Sequence, residues 1–155
     1  MAAPEVALVL RPCWAQMIVD GAKTLELRGA PTRKRGLVAL AAAGTSQLLG
    51  QCRIAGSYKI AEWDDDSQRY IDCPPLSLRR LTHVHQVQDV EETLRRLNYK
   101  EVHGWVLQDV EKYKPPRQYQ HTSGCVSWVR LTGKAPAAKK TAAARPMKRP
   151  GKCQR

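Results

Sequence analysis

The sequence predicts an α+β fold of barrel-like form, and three observations carry that prediction. Short apolar or alternating stretches recur along the chain: EVALVL, KTLELR, LVALAAA, GQCRIAGSYKIAEW and GCVSWVRLTG. Helical spacing is confined to a few short stretches, PCWAQMIVDG and DVEETLRRLN above all. No internal repeat and no sustained heptad organises the remainder.

Taken in order, EVALVL (5–10) is apolar and rich in β-branched residues, as a buried strand is. In PCWAQMIVDG, Pro12 suits the first helical turn, Trp14, Met17 and Ile18 recur at helical spacing, and Gly21 suits the position just past the end. KTLELR alternates, which predicts a half-buried strand with Leu25 and Leu27 inward and Thr24, Glu26 and Arg28 on a polar face. GAPTRKRG is a basic loop bounded by glycines. Strands follow over 37–43 and 50–63, the second with a glycine suited to a bulge. DDDSQRYIDCPP reads as an acidic loop and LSLRRLTHV as a short helix. DVEETLRRLN (89–98) is a helix with Asp89 as cap, Glu92 three residues on, a Val90–Leu94–Leu97 stripe, and Arg95 and Arg96 at the negative end of the dipole. HGWVLQDVEKYK begins as a strand that Pro115 and Pro116 should stop, and 124–133 forms the closing strand.

The chain of 155 residues carries a formal charge of +12. Residues 134–155 hold eight Lys or Arg and no acid, which leaves 12 − 8 = +4 for residues 1–133. That segment has too few large apolar side chains to offset its ordering entropy, so it is expected to be a disordered basic tail on a single domain spanning 1–133. No apolar run is long enough to span a membrane. The start MAAPEVALVL lacks a basic segment and carries Glu5, unlike a secretory signal. Five cysteines without a CxxC argue against a disulfide framework, and the four histidines lack metal-ligand spacing, so no metal and no cofactor is expected. Nuclear or cytoplasmic residence fits these features better than secretion, and nothing suggests more than a monomer.

The stretch LRPCWAQMIVDGAKTLELR (10–28) resembles the signature of the ASCH domain family of the PUA-like superfamily. The matching residues are Pro12, Trp14, Ala15, Gly21, Lys23, Glu26 and Arg28, the last four as G-x-K-x-x-E-x-R, and the resemblance runs through 5–132. It implies a PUA-like β-barrel whose ends are closed by short helices, with a cleft beside the signature helix and strand. It also implies RNA binding as the leading function. Other activities in the family leave two alternatives: a small hydrolase acting on acetylated cytidine or a ribonuclease, and a transcription coactivator module. Function varies on one fold, so the residues must decide. The amidohydrolase branch carries a Thr nucleophile where this chain has Glu26. Thr24 is the remaining hydroxyl, but strand neighbours point to opposite faces, so Lys23 does not readily activate it. Lys23, Thr24 and Glu26 are nonetheless the catalytic candidates.

For RNA, whether single-stranded or structured, the candidate contacts are Lys23, Glu26 and Arg28 on the cleft wall, with Arg33, Lys34 and Arg35 meeting phosphates. Trp14 is a candidate stacking ring. Tyr58 with Lys59, and Tyr113 with Lys114, are candidate mixed stacking and phosphate surfaces. Trp63, Trp105 and Trp128 are expected to pack. The tail's cations suit any polyanion, DNA included, and also suit a nuclear localisation signal.

Overall fold

The structure, a computed structural model, describes residues 2–131. The expected tail over 134–155 lies outside the described residues. Seven strands and three short helices are present among the described residues: β1 Val6–Leu10, α1 Pro12–Val19, β2 Leu25–Arg28, β3 Gly36–Ala42, β4 Gln47–Asp64, β5 Arg69–Asp72, α2 Thr82–His85, α3 Val90–Arg96, β6 Glu101–Gln118 and β7 Trp128–Arg130. The strands are hydrogen-bonded in the order β2-β6-β4-β3-β1-β7, with β5 pairing off β4. The class is α+β as expected, but the sheet does not close into the expected barrel. The terminal strands β2 and β7, only four and three residues long, do not pair with each other. Just before β2 the Thr24 N–H is instead donated to the Val84 carbonyl of α2, at 2.9 Å. No helix among the described residues is long and apolar enough to cross a membrane.

The residues form two compact units. Among the described residues the first comprises the chain up to Asp20, Leu37–Cys52 and the chain from Val110 to residue 131. In it β1 runs parallel to β3, with Ala7 opposite Ala39 and Val9 opposite Ala41, and antiparallel to β7. Its core gathers those residues with Leu48, Tyr113, Tyr119 and Val129. Helix α1 starts on Pro12, buries Ala15, Ile18 and Val19, and is followed by Gly21 in the left-handed region at φ 82°. Trp14 and Met17, which recur at helical spacing with Ile18, are half-buried. The end of β6 runs through Pro115 and Pro116 rather than stopping there. Residues 114–118 are exposed, where a missing N–H leaves no buried partner unsatisfied.

The second unit comprises Gly21–Gly36 and Arg53–Asp109. In it β2 lies antiparallel to β6, and β5 antiparallel to β4. The acidic loop expected at 64–75 thus contains a strand. The helix expected over 76–84 reduces to turns and the single turn of α2. Helix α3 forms as expected, but Asp89 makes no side-chain cap and sits at φ 44°. Glu92 pairs down the helix with Arg96 at 2.6 Å instead of reaching back to the cap.

Candidate functional site

The register of β2 on β6 sorts the signature side chains. Glu26 is opposite Trp105 and Arg28 opposite His103, while Leu25 is opposite Val106 and Leu27 opposite Gly104. Residues directly opposite each other share a face, so Glu26, Arg28, His103 and Trp105 share one and the leucines the other. Within Leu25–Arg28 the alternation is as expected, but Thr24, expected beside Glu26 and Arg28, lies before the strand and lines an apolar pocket with Leu25. Lys23 is 0% exposed, Glu26 1% and Arg28 15%, so the charged side chains of the signature are enclosed while Thr24 stays exposed. Arg28 Nε donates to Glu26 Oε1 at 3.0 Å, and its guanidinium lies 5.5 Å from the Trp105 ring centroid. Lys23 Nζ sits 3.4 Å from Glu26 Oε2 and donates to the His85 carbonyl at 2.5 Å. Charge at such depth persists only when paired, and the three residues pair with one another.

Burial holds the Lys23 ammonium below the usual lysine range, against the opposing pull of the Glu26 carboxylate. Glu26 Oε2 is the one buried side-chain polar atom among the described residues that makes no hydrogen bond; the Lys23 charge compensates it. His85, which supplies the carbonyl for Lys23, is itself buried. Its Nδ1 accepts the Val87 N–H at 3.0 Å, so its Nε2 carries the proton donated to the Leu78 carbonyl, 2.8 Å away. The ring is therefore the neutral Nε2–H tautomer, and burial keeps its pKa below the ordinary histidine value. The sign of the resulting pH dependence is fixed. Below about pH 6.5 the unfolded histidine takes up a proton before the folded one does, so stability present above that pH declines on acidification. The slope is at most about 1.4 kcal/mol per pH unit. Urea unfolding at pH 7.5 and 5.5 should show a larger acid loss for the native chain than for His85→Gln; equal losses would remove His85 from the account.

Chemistry at Glu26 or Lys23 needs solvent or substrate access that both lack. Thr24 is exposed, but its own backbone is fixed, its N–H bonded to Val84 and its carbonyl accepting the Leu107 N–H at 3.0 Å. Among the described residues no group of three or more His, Cys, Asp or Glu is placed to hold a metal.

The loop between β2 and β3 presents Arg33, Lys34 and Arg35, all exposed. It is tied to the rest of the unit at Ala30 and Thr32 and braced within. Trp105 Nε1 donates to the Ala30 carbonyl at 3.0 Å, the Thr32 N–H to Ser57 Oγ at 3.2 Å, and Arg35 Nη1 to the Thr32 and Lys34 carbonyls. Trp105 is buried in the packing role expected of it, and Trp63 and Trp128 are half-buried.

The expected Tyr–Lys surfaces are corrected by strand alternation. Tyr58 is 56% exposed and lines an apolar pocket. Lys59 points the other way, to Glu62 at 2.7 Å and Glu101 at 3.3 Å. Glu101 also accepts from His103 Nε2 at 2.9 Å, and His103 and Lys59 together hold its carboxyl below the usual range. Tyr113 is buried in the core of the first unit with its hydroxyl on Gln51 Oε1, so it is no stacking surface, whereas Lys114 is exposed. Trp14, also in the first unit, has the Arg11 guanidinium 4.8 Å from its ring centroid.

The structure thus brings Lys23, Glu26 and Arg28 into one network. Sequence reading missed His85 and Trp105 as its members; HVH has no metal-ligand spacing to single it out, and the Lys23–His85 contact spans 62 residues with no local signal.

The ASCH domain model matches residues 8–125. No curated protein matches the chain. Among solved structures, a serine-to-alanine variant of ZmASCH from Zymomonas mobilis superposes with a TM-score of 0.59 at 14% identity, covering 84% of this chain and 92% of that one. The crystal structure of ASCH from Zymomonas mobilis gives 0.55 at 14% identity, covering 83% and 87%. A tyrosine-to-phenylalanine variant of ZmASCH gives 0.55 at 14%, covering 84% and 92%. At such identity the likeness is one of fold.

Proposed function

The chain belongs to the ASCH domain family, a PUA-like fold, and from that premise we propose that it is an RNA-binding module whose phosphate contacts centre on the loop Arg33–Arg35. The observation that carries this reading is the tethering of that loop. Three adjacent cations on a mobile loop would lose conformational entropy on meeting a phosphate backbone. Here Trp105, Ser57 and the Arg35 guanidinium, which donates to the Thr32 and Lys34 carbonyls, hold the backbone in place before any ligand arrives. Arg28, partly exposed and oriented by Glu26 and Trp105, extends the basic surface toward β2. Guanidinium groups suit phosphate oxygens because their donors form a planar fork. Unpaired RNA is the favoured partner because its bases are open to contact and its phosphates lie along a flexible strand.

The test is a titration of the full chain with a fluorescent single-stranded RNA at several salt concentrations. Replacing Arg33, Lys34 and Arg35 together by Ala should weaken binding and flatten the log K against log salt slope by about 0.7 for each cation that meets a phosphate, hence about 2 for three. Melting should stay nearly unchanged, as it does for most exposed substitutions. An unaltered slope would exclude this loop as the contact surface.

A further inference from the structure

The face of the second unit's sheet that carries the leucines holds a feature RNA binding does not require. A pocket of about 300 Å³ is lined by Thr24 and Leu25 at β2, Tyr58 and Ile60 on β4, Gly104 and Val106 on β6, and the 76–84 segment through Leu76, Leu81 and Val84. Its position follows from the register: Leu25 faces Val106 across the strand pair, and Tyr58 and Ile60, two apart on β4, share a side. Gly104 lets the wall close, since a Cβ there would stand 2.6 Å from Ile60 Cδ1 and 2.9 Å from Leu25 Cδ1. The space is a half-open apolar concavity rather than an enclosed void, the form a small-ligand site takes. Its volume falls at the small end of ligand sites.

We propose that this pocket binds a small, uncharged, ring-containing molecule with one polar atom, and that the Tyr58 ring supplies one wall of the site. The lining supports each part. No Lys, Arg, Asp, Glu or His is among the lining residues, so a phosphate or carboxylate would lose its hydration without compensation. The only side-chain polar groups are the Thr24 and Tyr58 hydroxyls. They can satisfy one donor or acceptor but not the several on a nucleobase edge, which separates this ligand from an extruded RNA base. Thr24 is held at both its N–H and its carbonyl, which fixes the direction of its side chain. Tyr58 is one of only three large hydrophobic residues exposed among those described. Its ring lies so close to Gly56 that a Cβ there would meet Cε2 at 2.8 Å, so the absent side chain lets the ring pack against the backbone beside the pocket.

Indole serves as probe because it has one ring system and one donor. Titrated into the full chain and followed by methyl NMR, it should produce saturable shifts at Ile60, Leu81 and Val84. Benzoate and adenosine, charged and polar-edged respectively, should bind at least about tenfold more weakly, a difference of one unsatisfied polar group. Val84→Phe, which fills the space, should abolish the shifts. Tyr58→Ala, at an exposed position that leaves the fold intact, should weaken indole by about threefold or more. Absence of saturable shifts with indole would overturn the proposal. So would adenosine or benzoate binding as tightly as indole, or a Tyr58→Ala chain that binds indole unchanged.

Discussion

Glu26→Gln should destabilise the chain by about 3–5 kcal/mol at neutral pH, because it leaves the Lys23 charge buried without its counter-charge. In a domain of this size that corresponds to a fall in melting temperature of more than about 10 °C. The geometry explains why so conservative a change matters. Glu26 is 1% exposed and stands between Arg28 at 3.0 Å and Lys23 at 3.4 Å, so its carboxylate balances two cations, one of which has no access to water. Solvation cannot replace the missing partner. The deficit should also depend on pH in a definite direction. The Lys23 ammonium already lies below the usual lysine range through desolvation, with Glu26 opposing that shift; removing Glu26 removes the opposition. The folded variant then releases the Lys23 proton at a pH where the unfolded chain still holds it. Stability therefore rises with pH between the lowered folded value of Lys23 and about 10, the unfolded lysine value. Replacing both partners by apolar residues, Lys23→Met with Glu26→Leu, should restore much of what either single change removes, since buried pairs often exchange for apolar side chains at little net loss. Urea unfolding of the two singles and the double measures the coupling directly. Single variants that melt within a degree or two of the native chain would show that the network does not hold the second unit together.

That expectation reverses the one the sequence invites, and the reversal shows where sequence reading stops. The pattern Leu25–Glu26–Leu27–Arg28 does assign faces: the two leucines and the two charged residues fall on opposite sides of β2, as the register confirms. Alternation reports direction, however, and burial depends on what lies beyond. Here the polar side of β2 is enclosed by Trp105, 79 positions past Glu26, and the Lys23 amine is met by the carbonyl of His85. Neither contact leaves a local trace. The strands and helices that stand on their own periodicity, β1, α1, β3 and α3, were legible for the same reason. Strand β5 was not, because Asp64–Asp66 before it and Pro74–Pro75 after it read as turn chemistry, and only Tyr70 of its four residues is buried. Closure of the sheet is further still from the sequence, since it rests on whether two very short end strands meet.

The second large effect concerns binding and lies in the chain's charge. Residues 134–155 carry eight of the cations behind the formal +12, with no acid among them. A chain truncated after residue 133 keeps +4, so deletion removes two-thirds of the net charge while leaving Arg28 and the Arg33–Arg35 loop in place. Each cation withdrawn from a phosphate should reduce the slope of log K against log salt by about 0.7 for a single strand. If all eight cations engage, the slope falls by about 5–6, on the order of a thousandfold in relative affinity between 50 and 200 mM salt. The weakening should be similar for RNA and DNA of equal length, because point cations on a segment without aromatic residues touch phosphate and read no base. On the proposed reading, in which residues 1–133 discriminate, preference between the two polymers should persist in the truncated chain. Matched RNA and DNA strands titrated against both chains at several salt concentrations give the slope and the ratio together. A truncated chain that binds neither polymer, or that no longer distinguishes them, would move recognition out of the ASCH domain and into the basic segment.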